Sequence, residues 1–439
     1  MLLRGVQGWT STSMRHHRSR STTTMRRIFA LSATTTTTGT VANGQTPPPP
    51  RPIVSTRAAS TKPTKATSLT FHDTPLGTNG THLLPGLDVH IVKAKGDGHP
   101  LTVYGIQSSS SSDDVAVTNN NNDDNDDNDS SSTPRNKKPI LLLHGRTWSS
   151  VPVYHLMGWH RKDDDDDSTN TTTANTESRS MMETLLDKGL QPYCMDFRGF
   201  GGTPVDPSGG VEPLQCVSDT ETVLQWIHER HHQHHPNDED SSSSNNDWPA
   251  LLGWSQGALV AQLAAQKQSP VLSKLILYGS IYDPLVRYPR EPLYASTTTT
   301  TANTDDPALS APPHRNEFDD AISDFTIEGT IPPEPARLFA EAALVTDPVK
   351  AQWHHLYQFN TCDPARVHVP CLVVAGDQDP YASLHVQQEL FCALGRASDR
   401  TWSILSESDH AVHLLDGRER LINTVVSFVQ NGKRSEQTQ

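Results

Sequence analysis

The sequence predicts an α/β fold: a mostly parallel central sheet with helices on both faces and an inserted, mainly helical cap. Short apolar runs alternate along the chain with stretches of helical periodicity, which is the pattern of parallel strands joined by helices. One interval, 281–369, breaks this alternation, because it has no strand signal, many prolines and helical patches such as 335–344. We therefore predict that this interval is the cap, inserted between two strands.

Local patterns identify the elements in chain order. The run 140–143 is wholly apolar, which suits a strand buried on both faces, and Gly189 marks the end of a helix. The predicted strands are 101–107, 140–143, 192–197, 250–254, 275–278, 371–375 and 402–405. The predicted helices are 181–190, 214–228, 257–266, 384–394 and 414–429.

The sequence contains several segments with too few apolar residues to contribute to a core. Three of them, 108–138, 162–176 and 231–247, are rich in Ser, Asn, Asp or Thr and are predicted to be disordered low-complexity insertions in loops. Each falls between two predicted helices or strands, so we expect it to extend a surface loop of a single domain. The predicted domain is 67–430, followed by a disordered tail, 431–439.

The N-terminal 72 residues contain no Asp or Glu but several Arg and many Ser and Thr. This composition is typical of an organelle transit peptide, with a merely disordered tail as the alternative. The proline run 47–50 then predicts an extended linker, so that 1–66 form a transit peptide and linker. We expect a mitochondrial protein, with plastid or cytoplasm as alternatives.

Charge and cysteine usage exclude several classes of protein. The net charge is −14 at pH 7, which disfavours nucleic acid and anionic membranes as partners. No apolar run approaches the roughly 20 residues of an integral membrane segment. The five cysteines include no CxxC pair, which argues against a disulfide framework or a zinc ribbon. The histidines of 231–235 lack spaced partner ligands, so neither a metal nor a cofactor is predicted.

The motif Gly253-Trp254-Ser255-Gln256-Gly257 lies where a predicted strand meets a predicted helix. Such a sharp turn strains the serine, lifts its hydroxyl above the sheet, and needs glycines because side chains would clash with neighbouring backbone. An ordinary turn is the alternative. The position between strand and helix favours Ser255 as a nucleophile.

A serine hydroxyl needs a base, and the base needs an acid to orient it. His410 follows the last predicted strand, and Asp379 follows the strand before it, so the order is Ser, acid, His. Two other carboxylates could take the acid's place: Asp377, two residues earlier in the same turn, and Asp283, after another strand.

Together these motifs resemble the α/β-hydrolase-fold superfamily, in particular its Ser-Asp-His esterases and lipases. The resemblance covers roughly 101–429 and rests on five segments: His144-Gly145-Arg146, Asp196 to Gly201, Gly253 to Gly257, Gly376 to Asp379, and His410 to Leu414. By this resemblance Ser255 is the nucleophile, His410 the general base and Asp379 the residue that orients it.

The same resemblance implies an oxyanion hole formed by the backbone N–H groups of Gln256 and Arg146, with Thr147 as the other choice for the second donor. It further suggests that His144 braces the oxyanion loop, that Arg198 fixes its own loop, and that His413 is structural.

The implied function is that of a serine hydrolase that cleaves a carboxylic ester or related acyl bond of a small-molecule substrate. An acyltransferase, a thioesterase or a C–C bond hydrolase would use the same triad. A non-catalytic ligand-binding member of the fold is the alternative from another class, since a fold alone does not specify chemistry.

Overall fold

The structure is a computed structural model. It describes residues 71–106, 137–156, 178–232, 248–267, 270–288, 314–397 and 399–431. The chain divides into two units, Met1–Lys65 and Ala66–Gln439, and every described residue lies in the second. The predicted transit peptide, the insertion 162–176 and nearly all of the two other insertions lie outside the described residues.

Strands of the described chain form one large sheet and a small two-stranded ribbon. Their bounds are β1 Leu87–Lys93, β2 Pro100–Ile106, β3 Lys138–Leu143, β4 His155–Leu156, β5 Arg179–Ser180, β6 Leu190–Met195, β7 Ala250–Trp254, β8 Lys274–Tyr278, β9 Cys371–Gly376 and β10 Arg400–Leu405. The large sheet has the order β1-β2-β6-β3-β7-β8-β9-β10. It is antiparallel at β1-β2-β6 and parallel from β6 onward, which confirms the mostly parallel sheet.

Helices connect the parallel strands. Their bounds are α1 Ser150–Tyr154, α2 Met181–Asp187, α3 Pro213–His232, α4 Gln256–Ala265, α5 Phe318–Ile322, α6 Pro333–Thr346, α7 Leu384–Ala393 and α8 Arg418–Gln430. In the described part of the chain, α1, α2, α6 and α8 contribute to one apolar cluster, and α3, α4 and α7 to another.

The two clusters lie on opposite faces of the sheet, because alternate residues of a strand point in opposite directions. Along β3, Ile140 and Leu142 belong to one cluster, and Leu141 and Leu143 to the other. All four are fully buried. The wholly apolar run therefore forms a strand covered on both faces, as its composition predicts.

Most predicted elements agree with the structure to within a few residues, and the differences have local causes. The helix predicted at 181–190 ends at Asp187, because Gly189 adopts a positive φ of 86° and the chain then enters β6. The helix predicted at 414–429 begins only at Arg418, after a short 3₁₀ turn at Val412–Leu414. The edge strand β1 is not predicted, because most of its residues are only partly buried.

Two predicted insertion boundaries are wrong. The insertion 108–138 ends before Lys138, which already pairs with Leu190 of β6 as the first residue of β3. The insertion 231–247 begins too early, because α3 continues to His232. The ring of His231 contributes to this continuation, since its Nε2 lies 3.2 Å from the hydroxyl oxygen of Tyr193.

The interval 281–369 lies between β8 and β9 in the chain, and we call it the interstrand segment. Its described residues, 281–288 and 314–369, contain α5, α6 and two 3₁₀ turns, at Leu356–Thr361 and Pro364–Arg366, but no strand. Buried Asp347 ties the segment to the sheet, because its carboxylate accepts hydrogen bonds from the N–H groups of Ser149, at 2.8 Å, and Gly201, at 3.0 Å.

Candidate active site

Ser255 occupies a strained turn between β7 and α4. Its φ of 57° and ψ of −119° lie in a region that residues with a side chain rarely adopt. The Ser255 N–H donates to the carbonyl of Tyr278 on the neighbouring strand, at 3.0 Å, and this bond helps to hold the turn. The serine is one of three described non-glycine residues with positive φ.

The two glycines of the motif are required for space. A Cβ atom on Gly253 would lie 2.3 Å from the carbonyl oxygen of Gly257. A Cβ atom on Gly257 would lie 2.3 Å from the carbonyl oxygen of His144. Both obstacles are backbone atoms, so neither can rotate away. The turn therefore forms only because the sequence provides glycine on both sides of Trp254-Ser255-Gln256.

Asp379 and His410 form a buried pair at the ends of β9 and β10. His410 Nδ1 lies 2.8 Å from Asp379 Oδ2, and the two residues are 6% and 5% exposed. Since a carboxylate can only accept, Nδ1 carries the proton and the neutral ring keeps its lone pair on Nε2. Asp379 Oδ1 accepts from the N–H groups of Tyr381 and Ala382, both at 2.9 Å, so the carboxylate is itself fixed.

The backbone around His410 is fastened by two side chains that sequence reasoning missed. Its carbonyl accepts hydrogen bonds from Trp254 Nε1, at 2.9 Å, and from the Tyr278 hydroxyl, at 3.0 Å. Gly279 supplies the space beside the pair, since a Cβ atom there would lie 3.2 Å from the His410 ring. Trp254 lies inside the nucleophile motif, but its role depends on a contact with a residue 156 positions away.

The electrostatic surroundings raise the pKa of His410 above its ordinary 6.5. Burial by itself lowers this pKa. The charge of Asp379 and its hydrogen bond outweigh that effect, and the carboxylates of Asp324 and Asp409 act in the same direction. The imidazolium form is therefore stabilised in the site, which is what a base needs once it has taken a proton.

The two other candidate acids lie away from the His410 ring. Asp377 Oδ1 accepts from the N–H of Ser408, at 3.2 Å, and shapes its turn. Asp283 Oδ1 accepts from the N–H of Leu285, at 2.9 Å, and caps a turn after β8. Of the three carboxylates, the structure brings only Asp379 into contact with His410.

The candidate oxyanion donors belong to two loops: Gln256 directly follows Ser255 after β7, and Arg146 lies after β3. Gln256 is the first residue of α4, where backbone N–H groups point out of the helix end. Arg146 and Thr147 line the same cavity as Ser255, and the carbonyl of Arg146 is held by Trp353 Nε1 at 3.0 Å. The structure thus places Thr147, the second choice, beside Arg146 on that cavity.

His144 braces this loop from below. Its Nδ1 lies 3.0 Å from the Gly145 carbonyl, and its Nε2 accepts from the N–H of Phe197, at 3.1 Å. Complete burial lowers the pKa of His144 to about 3, so the ring is neutral and can make both bonds.

Arg198 and His413 both have structural partners. The Arg198 guanidinium makes a bidentate pair with Asp219, at 2.7 and 2.8 Å, and further ion pairs with Asp97 and Asp206. His413 is buried with its Nδ1 2.9 Å from the Tyr278 hydroxyl, and burial lowers its pKa to about 3.

A cavity of about 140 Å³ opens above Ser255 and His410. Its apolar wall consists of Trp148, Trp254, Ile281 and Tyr381. Two aromatic residues of the interstrand segment do not belong to that lining: Phe339 is buried in the core and Tyr357 is exposed. The cavity also contains a carboxylate that sequence reasoning missed, that of Asp324.

Other kinds of site are not found in the described ranges. They hold no group of three or more His, Cys, Asp or Glu residues that could bind a metal ion. None of the described helices is long and apolar enough to cross a membrane.

Comparisons with known proteins give a family match and several similar structures. Residues 140–424 match the Alpha/beta hydrolase family. Among solved structures, the chain is similar to a thermophilic esterase from Thermogutta terrifontis, with 15% identity, a TM-score of 0.47 and coverage of 78% of this chain and 98% of that one. It is also similar to the carboxylesterase CesB (YbfK) from Bacillus subtilis, with 13% identity, a TM-score of 0.45 and coverage of 80% and 94%.

No curated protein matches the chain. The family match alone spans well over half of the 439 residues and contains Ser255, Asp379 and His410. The chain therefore belongs to the alpha/beta hydrolase family.

Proposed function

We propose that the protein is a serine hydrolase that cleaves a carboxylic ester of a small molecule through Ser255, His410 and Asp379. The observation that carries the proposal is one cavity lined by both Ser255, on its strained turn, and His410, with Asp379 behind its ring. In the described chain the Ser255 hydroxyl has no hydrogen-bonding partner. Such bonds often tighten only when substrate is bound.

The reaction proceeds in two halves. His410 Nε2 takes the Ser255 proton while Oγ attacks the ester carbonyl, and the N–H groups of Gln256 and Arg146 stabilise the resulting oxyanion. His410 then donates the proton to the leaving alcohol, which departs and leaves an acyl-enzyme. Water then attacks the acyl carbon while His410 takes its proton. His410 returns this proton to Ser255 Oγ as the acyl–oxygen bond breaks, which releases the carboxylic acid and restores the serine hydroxyl and the neutral histidine.

The size of the cavity favours small acyl groups. A dry protein cavity of about 150 Å³ holds a molecule the size of benzene. The cavity above Ser255 has about 140 Å³, which suits an acyl chain of roughly that size. We therefore expect kcat/KM to fall as the acyl chain lengthens.

The test combines covalent labelling with turnover. A fluorophosphonate probe should label the wild-type protein but not Ser255→Ala, and p-nitrophenyl acetate and butyrate should be hydrolysed faster than the decanoate. Loss of Ser255 should lower kcat by about 10⁴-fold or more. A folded wild-type protein that neither labels nor turns over any ester would contradict the proposal and favour a non-catalytic binding member of the family.

We also propose that residues 1–66 direct the protein to mitochondria, on the basis of their Arg-rich, acid-free composition. A fusion of these residues to a fluorescent protein should colocalise with a mitochondrial dye. The matched control is the same fusion with its Arg residues replaced by Gln, which should stay diffuse. A diffuse signal from the unmodified fusion would contradict the proposal.

A further inference from the structure

Asp324 places an acidic side chain on the wall of the cavity that contains Ser255 and His410. Asp324 lies just after α5 in the interstrand segment. In contrast, Arg146, Ser255 and His410 lie on the loops after β3, β7 and β10. One of its oxygens, Oδ2, accepts a hydrogen bond from Trp148 Nε1, at 2.8 Å. Its other oxygen, Oδ1, has no hydrogen-bonding partner in the described part of the chain, and the residue keeps some surface open to the cavity.

Burial makes the ionised form of the Asp324 side chain less favourable than it is in water. Burial raises the pKa of Asp324 to about 6, although the hydrogen bond from Trp148 and the nearby His410 lower it. At pH 7 to 8, where His410 must be neutral to act as a base, the carboxylate is mostly ionised. In the empty cavity, water can solvate Oδ1.

A substrate that fills a cavity of about 140 Å³ displaces that water. A purely apolar substrate would leave Oδ1 without a partner, and an unsatisfied buried charge is strongly unfavourable. A substrate with a hydrogen-bond donor at that point would satisfy the oxygen. A site with a fixed polar group therefore discriminates against the analogue that lacks the matching donor.

The donor is better supplied by a hydroxyl than by an ammonium group. His410 becomes positively charged during each half of the reaction, and its charge interacts with that of Asp324. A substrate cation on Asp324 would repel this imidazolium and cancel the stabilisation that the carboxylate provides. A neutral hydroxyl does not repel the imidazolium, and it leaves the negative charge of the carboxylate available to stabilise that imidazolium.

We infer that the protein selects small esters that carry a hydroxyl group, which donates a hydrogen bond to Asp324 Oδ1. This inference rests on the proposed ester hydrolysis and names the substrate class of that site. Asp324 has the role of a specificity-determining residue, and the covalent steps at Ser255 do not change.

The competing role for Asp324 is structural. Its bond to Trp148 joins the interstrand segment to the loop that carries Arg146, so the residue could act only by holding that loop. The two roles differ in what they predict. Loss of a loop contact lowers turnover of all esters alike, whereas loss of a substrate contact changes the ratio between hydroxylated and plain esters.

The experiment compares kcat/KM for ethyl butyrate, ethyl 3-hydroxybutyrate, 2-hydroxyethyl butyrate and ethyl 3-aminobutyrate by pH-stat. In the wild type, at least one hydroxylated ester should exceed ethyl butyrate by on the order of 10-fold, the size of a charge-assisted hydrogen bond. The two hydroxylated esters show on which side of the ester bond the hydroxyl lies. Asp324→Asn should reduce this ratio, and Asp324→Leu should reverse it, because leucine carries no charge to desolvate.

Trp148→Phe is the matched control, since it removes the donor to Oδ2 and keeps the carboxylate. It should preserve the ratio even if all rates fall. A wild-type ratio of one or below, an amino ester that is preferred over both hydroxyl esters, or a ratio that changes equally in Trp148→Phe would overturn the inference. If Asp324→Leu does not fold, the Asp324→Asn ratio decides.

A binding measurement separates this inference from the proposed function. The Ser255→Ala variant should bind the preferred hydroxylated ester more tightly than ethyl butyrate in calorimetry, and introducing Asp324→Leu into it should abolish the difference. Turnover without any preference would overturn the selection of hydroxylated esters and leave ester hydrolysis intact. A binding preference without turnover in the wild type would instead contradict the hydrolase proposal.

Discussion

Ser255 and the His410–Asp379 pair lie at the same edge of the sheet, but different forces hold them in place. Ser255 is positioned by its backbone: a strained turn, a main-chain hydrogen bond to Tyr278 and two glycines that let main-chain segments approach closely. His410 and Asp379 are positioned by side-chain hydrogen bonds and by anchors on the His410 carbonyl. Changes near the serine should therefore affect folding, and changes near the histidine should affect chemistry.

The largest effect on stability is expected at the glycines of the Ser255 turn. In Gly257→Ala the new Cβ would lie 2.3 Å from the His144 carbonyl oxygen, and overpacking against backbone commonly costs 1–3 kcal/mol of stability, about that or more here. The soluble yield and the melting temperature should both fall. Gly395→Ala is the control, because its nearest neighbour would lie at 3.8 Å, and its melting temperature should be unchanged. A Gly257→Ala protein of wild-type stability would mean that the turn is looser than its geometry indicates.

The largest effect on turnover is expected at Asp379, and this substitution should leave the fold intact. In Asp379→Asn the side-chain amide would face His410 Nδ1 as a donor and favour the wrong tautomer, which costs on the order of 10⁴-fold in kcat in serine proteases. Circular dichroism should remain that of the wild type.

Asp283→Asn and Asp377→Asn are matched controls for that substitution, because their carboxylates serve turns. Each should retain most of the wild-type kcat. If Asp283→Asn abolishes turnover while Asp379→Asn retains it, the acid has been assigned to the wrong strand.

A smaller effect should reveal the backbone strain stored at Ser255. Both Ser255→Ala and Ser255→Gly remove the hydroxyl, but only glycine adopts a φ of 57° and a ψ of −119° without strain. Such strain amounts to about 1–3 kcal/mol, partly offset by the greater freedom of glycine in the unfolded chain. Ser255→Gly should thus be about 1 kcal/mol more stable than Ser255→Ala in urea unfolding, and equal stabilities would argue against a strained turn.

The smallest expected effect is a shift of the pH profile. His410 must be neutral to accept the serine proton, and its surroundings raise its pKa above 6.5. The value of kcat/KM should therefore be lost as the pH falls through a midpoint above 6.5. Removing the Asp324 charge in Asp324→Asn should move this midpoint to lower pH, because that carboxylate raises the pKa of His410. Asp283→Asn should leave the midpoint where it is, and a common shift in both variants would point to long-range charge alone.

Sequence patterns were sufficient wherever the cause is local. Gly253 and Gly257 predict a close approach between backbone segments, and the apolar run at 140–143 predicts a strand buried on both faces. The order of Ser255, Asp379 and His410 along the chain follows from motifs at strand ends, and the structure brings Asp379 and His410 into contact. Element ends were less predictable, because α3 continues to His232 through a sequence as polar as the insertion that follows.

What remained open depended on contacts between residues far apart in sequence. The sequence by itself determined the fold class, the sharp turn at Ser255 and a short set of candidate acids, because strand periodicity, glycine and motif spacing are local properties. Only the tertiary structure decided which acid meets His410, since Asp283, Asp377 and Asp379 all follow predicted strands. It alone revealed Asp324 in the cavity, which reaches Trp148 across 176 positions. No local pattern distinguishes that aspartate from its exposed neighbours, because its burial and its partners come entirely from how the segment packs against the sheet.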